Sequence, residues 1–200
     1  MDGARELTPT HLHLREATRE AHAAAEASPL MRRLLANELD EAGYRRLLEA
    51  QLALFRAWED ERGAWLDGIA TTPGWRYVSR AAALESDLAA MASPGANAPP
   101  DRAKRRLQGI SQPSAAWGEL YVIEGSALGG RVIVAGLRTL FPHLPHHFYG
   151  LGEDTPPWRR LQGLLDRVLN DGAAQDAATA AARAMFARFQ RTLQDHPTHD

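Results

Sequence analysis

The segment "DEAGYRRLLEAQLALFRAWEDERGAWL" (residues 40–66) keeps one helical period from end to end. Tyr44, Leu47, Leu48, Gln51, Leu52 and Phe55 share an apolar face, and the opposite face is charged. A run of that length cannot be read as a strand, whose apolar residues would recur at every second position. The same period returns in Leu14, Ala17, Thr18, Ala21 and Ala25, which predict a first helix over 9–27 with Thr8 as its N-cap and Pro9 at its first turn. Asp40 is placed to cap the second helix. "WRYVSRAAALESDLAAM" (75–91) predicts a third, a short basic helix follows from Asp101, a long helix runs over 114–140, and two more over 157–170 and 173–194. Alanine, leucine, arginine and glutamate dominate and β-branched residues are few, so the expected fold class is all-α. Two hundred residues suffice for one compact domain, 1–200, with fraying expected at 1–8 and 195–200.

The remaining composition removes whole classes of function. The chain has no cysteine, hence no disulfide, thiolate metal site or cysteine nucleophile. The first ten residues carry no apolar signal core, and no run was read as reaching the ~18 apolar residues of a membrane span. A cytoplasmic protein without a membrane partner is expected. Net charge is −2 and the arginines are dispersed among acids, which argues against nucleic acid. "SPGANAPP" (93–100) is a loop, and the prolines of "FPHLPHHFYGLGEDTPP" (141–157) forbid regular helix; so long a connection inside a compact domain is often functional.

The long helix is unusual in containing Gly125, Gly129 and Gly130, which together give up about 3 kcal/mol of helix propensity. At 100° per residue they share a face with Val122, Ser126 and Ile133, a trough nearly free of side chains. Two readings are open. A flat object lies against the bare backbone, or another helix packs closely through the small residues. On the first helix, Arg15, Arg19, His22 and Glu26 form one stripe, in which Glu26 can reach the His22 ring one turn away. A carboxylate so placed fixes an imidazole's tautomer and leaves its other nitrogen for a metal; the alternative is a solvated surface histidine.

Taken jointly, "LREATREAHAAAE" (14–26) and "LYVIEGSALGGRVI" (120–133) resemble the proximal and distal helix signatures of the heme oxygenase family, particularly the bacterial forms that supply bilin chromophore. "FYGLGEDTPPWRRL" and "AMFARFQRTL" follow in the order of that branch, so the resemblance covers about residues 12–194. It implies a single-domain heme-oxygenase-like multihelical bundle that cleaves heme, at once cofactor and substrate, with O2 and electrons to biliverdin, Fe2+ and CO. It makes His22 the iron ligand supported by Glu26, and Gly125, Ser126, Gly129 and Gly130 the distal wall, with Val122 beside them. Arg15 and Arg19 fall where the family places cations near the heme propionates; Arg159 is carried over to a propionate and Phe186 to the heme face. The family's animal members have an aspartate where this chain has Ser126, and the bacterial pattern also lacks it. With no dinucleotide fingerprint, and hence no tightly bound nucleotide cofactor, the electron donor is expected to be a separate ferredoxin or NADPH-dependent reductase, and a phytochrome a possible bilin acceptor. A non-catalytic heme- or bilin-binding protein of the same fold is the rival reading.

Other constellations carry less. "PHLPHH" brings His143, His146 and His147 together without an acidic fourth ligand in sequence, and a solvated or aromatic-packing role is expected. His11 and His13 are expected to be exposed. A di-iron bundle would need Glu-x-x-His pairs, which are absent, and thiamin-degrading relatives of the fold need a cysteine. The five tryptophans are read as core or groove fillers.

Overall fold

The computed structural model describes residues 9–70, 75–92, 113–154 and 156–194, and among these there is helix but no strand. Helices α1 (Thr10–Glu26), α2 (Pro29–Leu35), α3 (Glu41–Ile69) and α4 (Arg80–Ala90) are followed by α5 (Pro113–Leu140). One-turn α6 (His147–Gly150), a 3-10 turn (Leu151–Glu153), α7 (Pro156–Val168) and α8 (Gly172–Gln194) complete the chain. The expected Thr8 cap, the 93–100 loop, the basic helix from Asp101 and the outermost termini lie outside the described residues.

Boundaries follow from who satisfies the free N–H groups of each first turn. Asp40 caps α3 as expected, accepting from Gly43 N at 2.7 Å. Helix α1 instead starts at Thr10, with Pro9 in the cap position, and Thr10 N donates to Asp166 Oδ1 of α7 at 2.8 Å. Helix α4 starts five residues later than the sequence pattern predicts, because Glu59 of α3 gathers the chain there. Its carboxylate accepts from Tyr77 Oη, Ser79 Oγ, Arg80 N and Ala81 N, while Ser79 Oγ accepts from Ala82 N. Residues 75–79 are thereby held out of the helix.

Helix α5 is the axle. It packs against α8, α7, α6 and the 3-10 turn, while α8 also crosses α1, α2 and α3. Leu120, Ile123, Leu137, Trp58, Phe55 and Leu161 are among the core residues with almost no exposure. Glu119 of α5 pins α3 by accepting from Trp58 Nε1 at 2.8 Å and from Arg62 through two bonds of 2.6 and 2.7 Å. By length and composition α5 would also serve as a membrane span, contrary to the sequence reading; here its apolar residues build the core of a helical bundle.

Over the described residues 141–154 the connection is irregular apart from α6, whose start is fixed by Asp87 of α4, and the 3-10 turn, while Pro156 and Pro157, expected to belong to it, open α7. Asp87 accepts from His147 N at 2.7 Å and Phe148 N at 2.9 Å. The three histidines here do not converge, and acids are nearer than the sequence suggested. His143 Nε2 is 3.2 Å from Glu41 and His147 Nδ1 is 3.0 Å from Asp87. His146 is buried, with Nε2 3.0 Å from the Phe141 carbonyl and Nδ1 3.0 Å from Tyr44 Oη. Since a carbonyl only accepts, Nε2 carries the proton and Nδ1 accepts from Tyr44. These bonds hold His146 at φ 55°, in the left-handed region.

Candidate active site

A cleft opens between α1 and α5 and divides into two lobes that share His22, Val122, Gly125, Ser126 and Phe186. The inner lobe, about 320 Å3, runs under α5 toward α2, α3, α6 and α8. The outer lobe, about 710 Å3, runs toward α7 and the charged start of α1. Both fall in the size range of small-molecule sites, roughly 300–1,000 Å3.

The glycines of α5 fall into two groups, one set against neighbouring main chain and one bordering the cleft. A methyl group on Gly130 would meet the Tyr149 carbonyl oxygen at 2.9 Å, and one on Gly118 would collide with the Ala178 carbonyl of α8. Those two exist for close packing. Gly125 faces the cleft past the Trp158 ring at 3.5 Å, and a methyl on Gly129 would meet nothing within 4 Å. Gly129 thus carries the helix-propensity penalty with no packing return from the protein. Gly129→Ala is expected to raise the stability of the ligand-free protein by about 0.5–1 kcal/mol, read from thermal or denaturant unfolding.

Across the cleft, the His22 ring is half exposed and stands edge-on to Phe186, ring centroids 5.3 Å apart. Glu26 Oε1 lies 3.6 Å from His22 Nε2, an electrostatic contact longer than a good hydrogen bond. Ser126 Oγ donates to the Ile123 carbonyl at 2.8 Å, so toward the cleft it offers only lone pairs. Arg15 and Arg19 border the outer lobe, Arg19 at 3.3 Å from Glu16. Burial pushes the Tyr121 hydroxyl above its ordinary range, while Arg15 and a bond with Thr18 pull it back.

The sequence-derived set therefore converges in large part: His22, Glu26, Arg15, Arg19, Val122, Gly125, Ser126, Gly129, Gly130 and Phe186 all border one lobe or both. Arg159 does not; it is exposed on α7 and lines neither lobe. Sequence reasoning missed Gln51, Arg80, Phe148 and Tyr149 in the inner lobe and Trp158 and Gln162 in the outer. His11, expected to be exposed, is half-buried at the outer lobe. Among the described residues no group of three potential metal-ligating side chains occurs, so a metal reaching this cleft would have to bring most of its own coordination.

Bundle and cleft together define a class of protein: an all-helical scaffold with a two-lobed cleft, His22 bordering both lobes and His11 the outer one. The family description "Heme oxygenase" matches residues 9–195. The chain is 38% identical over 167 residues to a heme oxygenase of Xanthomonas campestris pv. campestris (strain 8004), covering 82% of this chain and 96% of that one. The chain belongs to the heme oxygenase family, oxidoreductases that cleave heme. Among solved structures it is similar in fold to the heme oxygenase from Leptospira interrogans, with TM-score 0.72 and 20% identity over 94% of this chain and 100% of that one. The heme oxygenase-1 of Synechocystis sp. PCC6803, solved in complex with heme, also gives TM-score 0.72, at 18% identity over 94% of this chain and 92% of that one.

Proposed function

We propose that heme enters the cleft as substrate with its iron held by His22 and its plane against the bare face of α5, and is opened with O2 and external electrons to biliverdin, Fe2+ and CO. The observation that carries this reading is the open space over Gly129 in the same lobe as the half-exposed imidazole of His22. The half-exposed ring can turn so that one nitrogen meets Glu26 and the other meets the iron. Gly125 and Gly129 let main chain, rather than side chain, approach the distal face. Ser126, whose proton is committed to Ile123, accepts a hydrogen bond from water there. Arg15 and Arg19 pair with the propionates and set how the macrocycle sits. The apolar inner lobe excludes bulk water around the reacting edge, so that orientation does most of the protein's work while heme and O2 carry the chemistry.

Electrons come from a separate ferredoxin or NADPH-dependent reductase, a reading supported by the lack of a G-x-G-x-x-G dinucleotide fingerprint in the sequence. The "EGSALGG" pattern (124–130) supports placing the chain in the bilin-supplying bacterial branch, with a phytochrome as product acceptor. The test is to mix purified protein with hemin, establish a one-to-one Soret complex, then add reductant under air. The Soret band should decay as bilin absorption grows. A stable complex that yields no bilin would instead make the chain a heme-binding protein. Gly129→Leu should fold yet bind hemin at least about tenfold more weakly, since its side chain fills the slot.

A further inference from the structure

Behind the cleft lies a feature that neither fold nor ligation requires. Arg80 of α4 and Glu124 of α5 form an ion pair at 3.0 Å with side chains only 5% and 9% exposed. The Arg80 guanidinium also donates to the Val78 carbonyl at 2.7 Å and lies 5.3 Å from the centre of the Tyr77 ring. Glu124 Oε1 accepts no hydrogen bond from any described residue, and burial pushes this carboxyl above its ordinary range against the pull of Arg80. A buried pair with one oxygen left over is a poor way to join two helices, because desolvation offsets most of the attraction and an apolar pair would do as well.

Its position supplies a different reason. Glu124 lines neither lobe of the cleft and borders a neighbouring cavity of about 430 Å3. Arg80 borders both that cavity and the inner lobe, where it sits with Ala127, Gly130 and Gln51. The pair therefore forms a septum between two spaces, with its positive end toward the cleft. The other charges facing it are largely compensated. Arg138 is paired with Glu153 and His147 with Asp87 at the neighbouring cavity, where Arg76 and Asp154 are exposed, and His22 lies beside Glu26 in the inner lobe. Among the described residues, Arg80 is the single guanidinium lining the inner lobe.

We propose that Arg80 and Glu124 are positioning residues whose oriented charges set the electrostatic potential on the distal side of the cleft and so stabilise negative charge that develops there. They act through space and through the water they order, not by contact with iron or substrate. This rests on the heme reading above, and the experiment separates the two.

The probe is the acid–alkaline transition of the ferric hemin complex, followed by its Soret band, with binding stoichiometry measured first. Glu124→Gln leaves Arg80 uncompensated and should lower the midpoint by about half a unit or more; Arg80→Met removes the cation and should raise it by a similar amount. A merely structural pair would alter thermal stability without producing shifts of opposite sign. Midpoints that stay put, or move the same way in both variants, overturn the proposal while leaving heme binding intact. Should Arg80→Met fail to fold, the near-isosteric Glu124→Gln decides alone, a fall supporting the proposal and no fall overturning it. Wild-type protein that binds no hemin overturns the heme reading itself, and this proposal with it.

Discussion

Replacing His22 by alanine is expected to leave the bundle folded and to abolish normal iron ligation, with bilin formation falling at least about 100-fold. The side chain is half exposed and touches the core only at the edge of Phe186, with Glu26 its other partner, so its removal uncovers little buried surface. Circular dichroism and the unfolding midpoint should stay near wild type while the Soret maximum of the hemin complex moves. Glu26→Gln should behave as a weaker copy, losing roughly tenfold in activity with the ligation spectrum largely kept. If His22→Ala retained the wild-type spectrum and turnover, iron would be held elsewhere and the assignment of both helices to the site would fail.

The second large effect concerns stability. Gly118→Ala is expected to destabilise the protein by about 3 kcal/mol, although alanine is the better helix former by roughly 1 kcal/mol. The added methyl would collide with the Ala178 carbonyl, a backbone atom of α8 that cannot rotate aside, and Ala178 itself is buried. At about 2–4 °C per kcal/mol for a chain of this size, the thermal midpoint should fall by roughly 6–12 °C. The contrast with Gly129→Ala is the informative part. Two glycines in one helix, substituted identically, should move the midpoint in opposite directions, because one faces main chain and the other faces open space. Equal effects at both positions would contradict the packing of α5 against α8.

The long helices were legible because each shows a sustained apolar period; His22 with Glu26 on α1, and Gly125 with Gly129 on α5, stood out because each set shares a face of its own helix, and the fold brings both sets to one cleft. What was missed depends on partners remote in sequence. Helix α2 is only seven residues long and offers too few turns for a period to register, although Ser28 before Pro29 is a fair start signal. The late start of α4 is imposed by Glu59, some twenty residues upstream, which no local propensity reveals. Arg80 reads in sequence as one arginine among many on a surface helix; it becomes visible only when α4 lays it against Glu124. Gln51 sits on what reads as a purely apolar stripe, and its role as acceptor for Tyr149 Oη at 3.2 Å emerges only in three dimensions. Arg159 shows the converse, a residue carried over from a motif that the folded chain leaves outside the slot.

Two walls of the cleft come from helices far apart in sequence, α1 and α8. The imidazole belongs to the first helix and Phe186 to the last, and Arg183 ties those two helices by donating to the Ala17 carbonyl at 2.8 Å. During synthesis, which proceeds from the amino end, α1 can meet α2 early but lacks α8, the helix it packs against most extensively, until all the intervening helices have been made. Assembly of the cleft therefore waits for α8, and a chain lacking that helix would present His22 without Phe186 beside it.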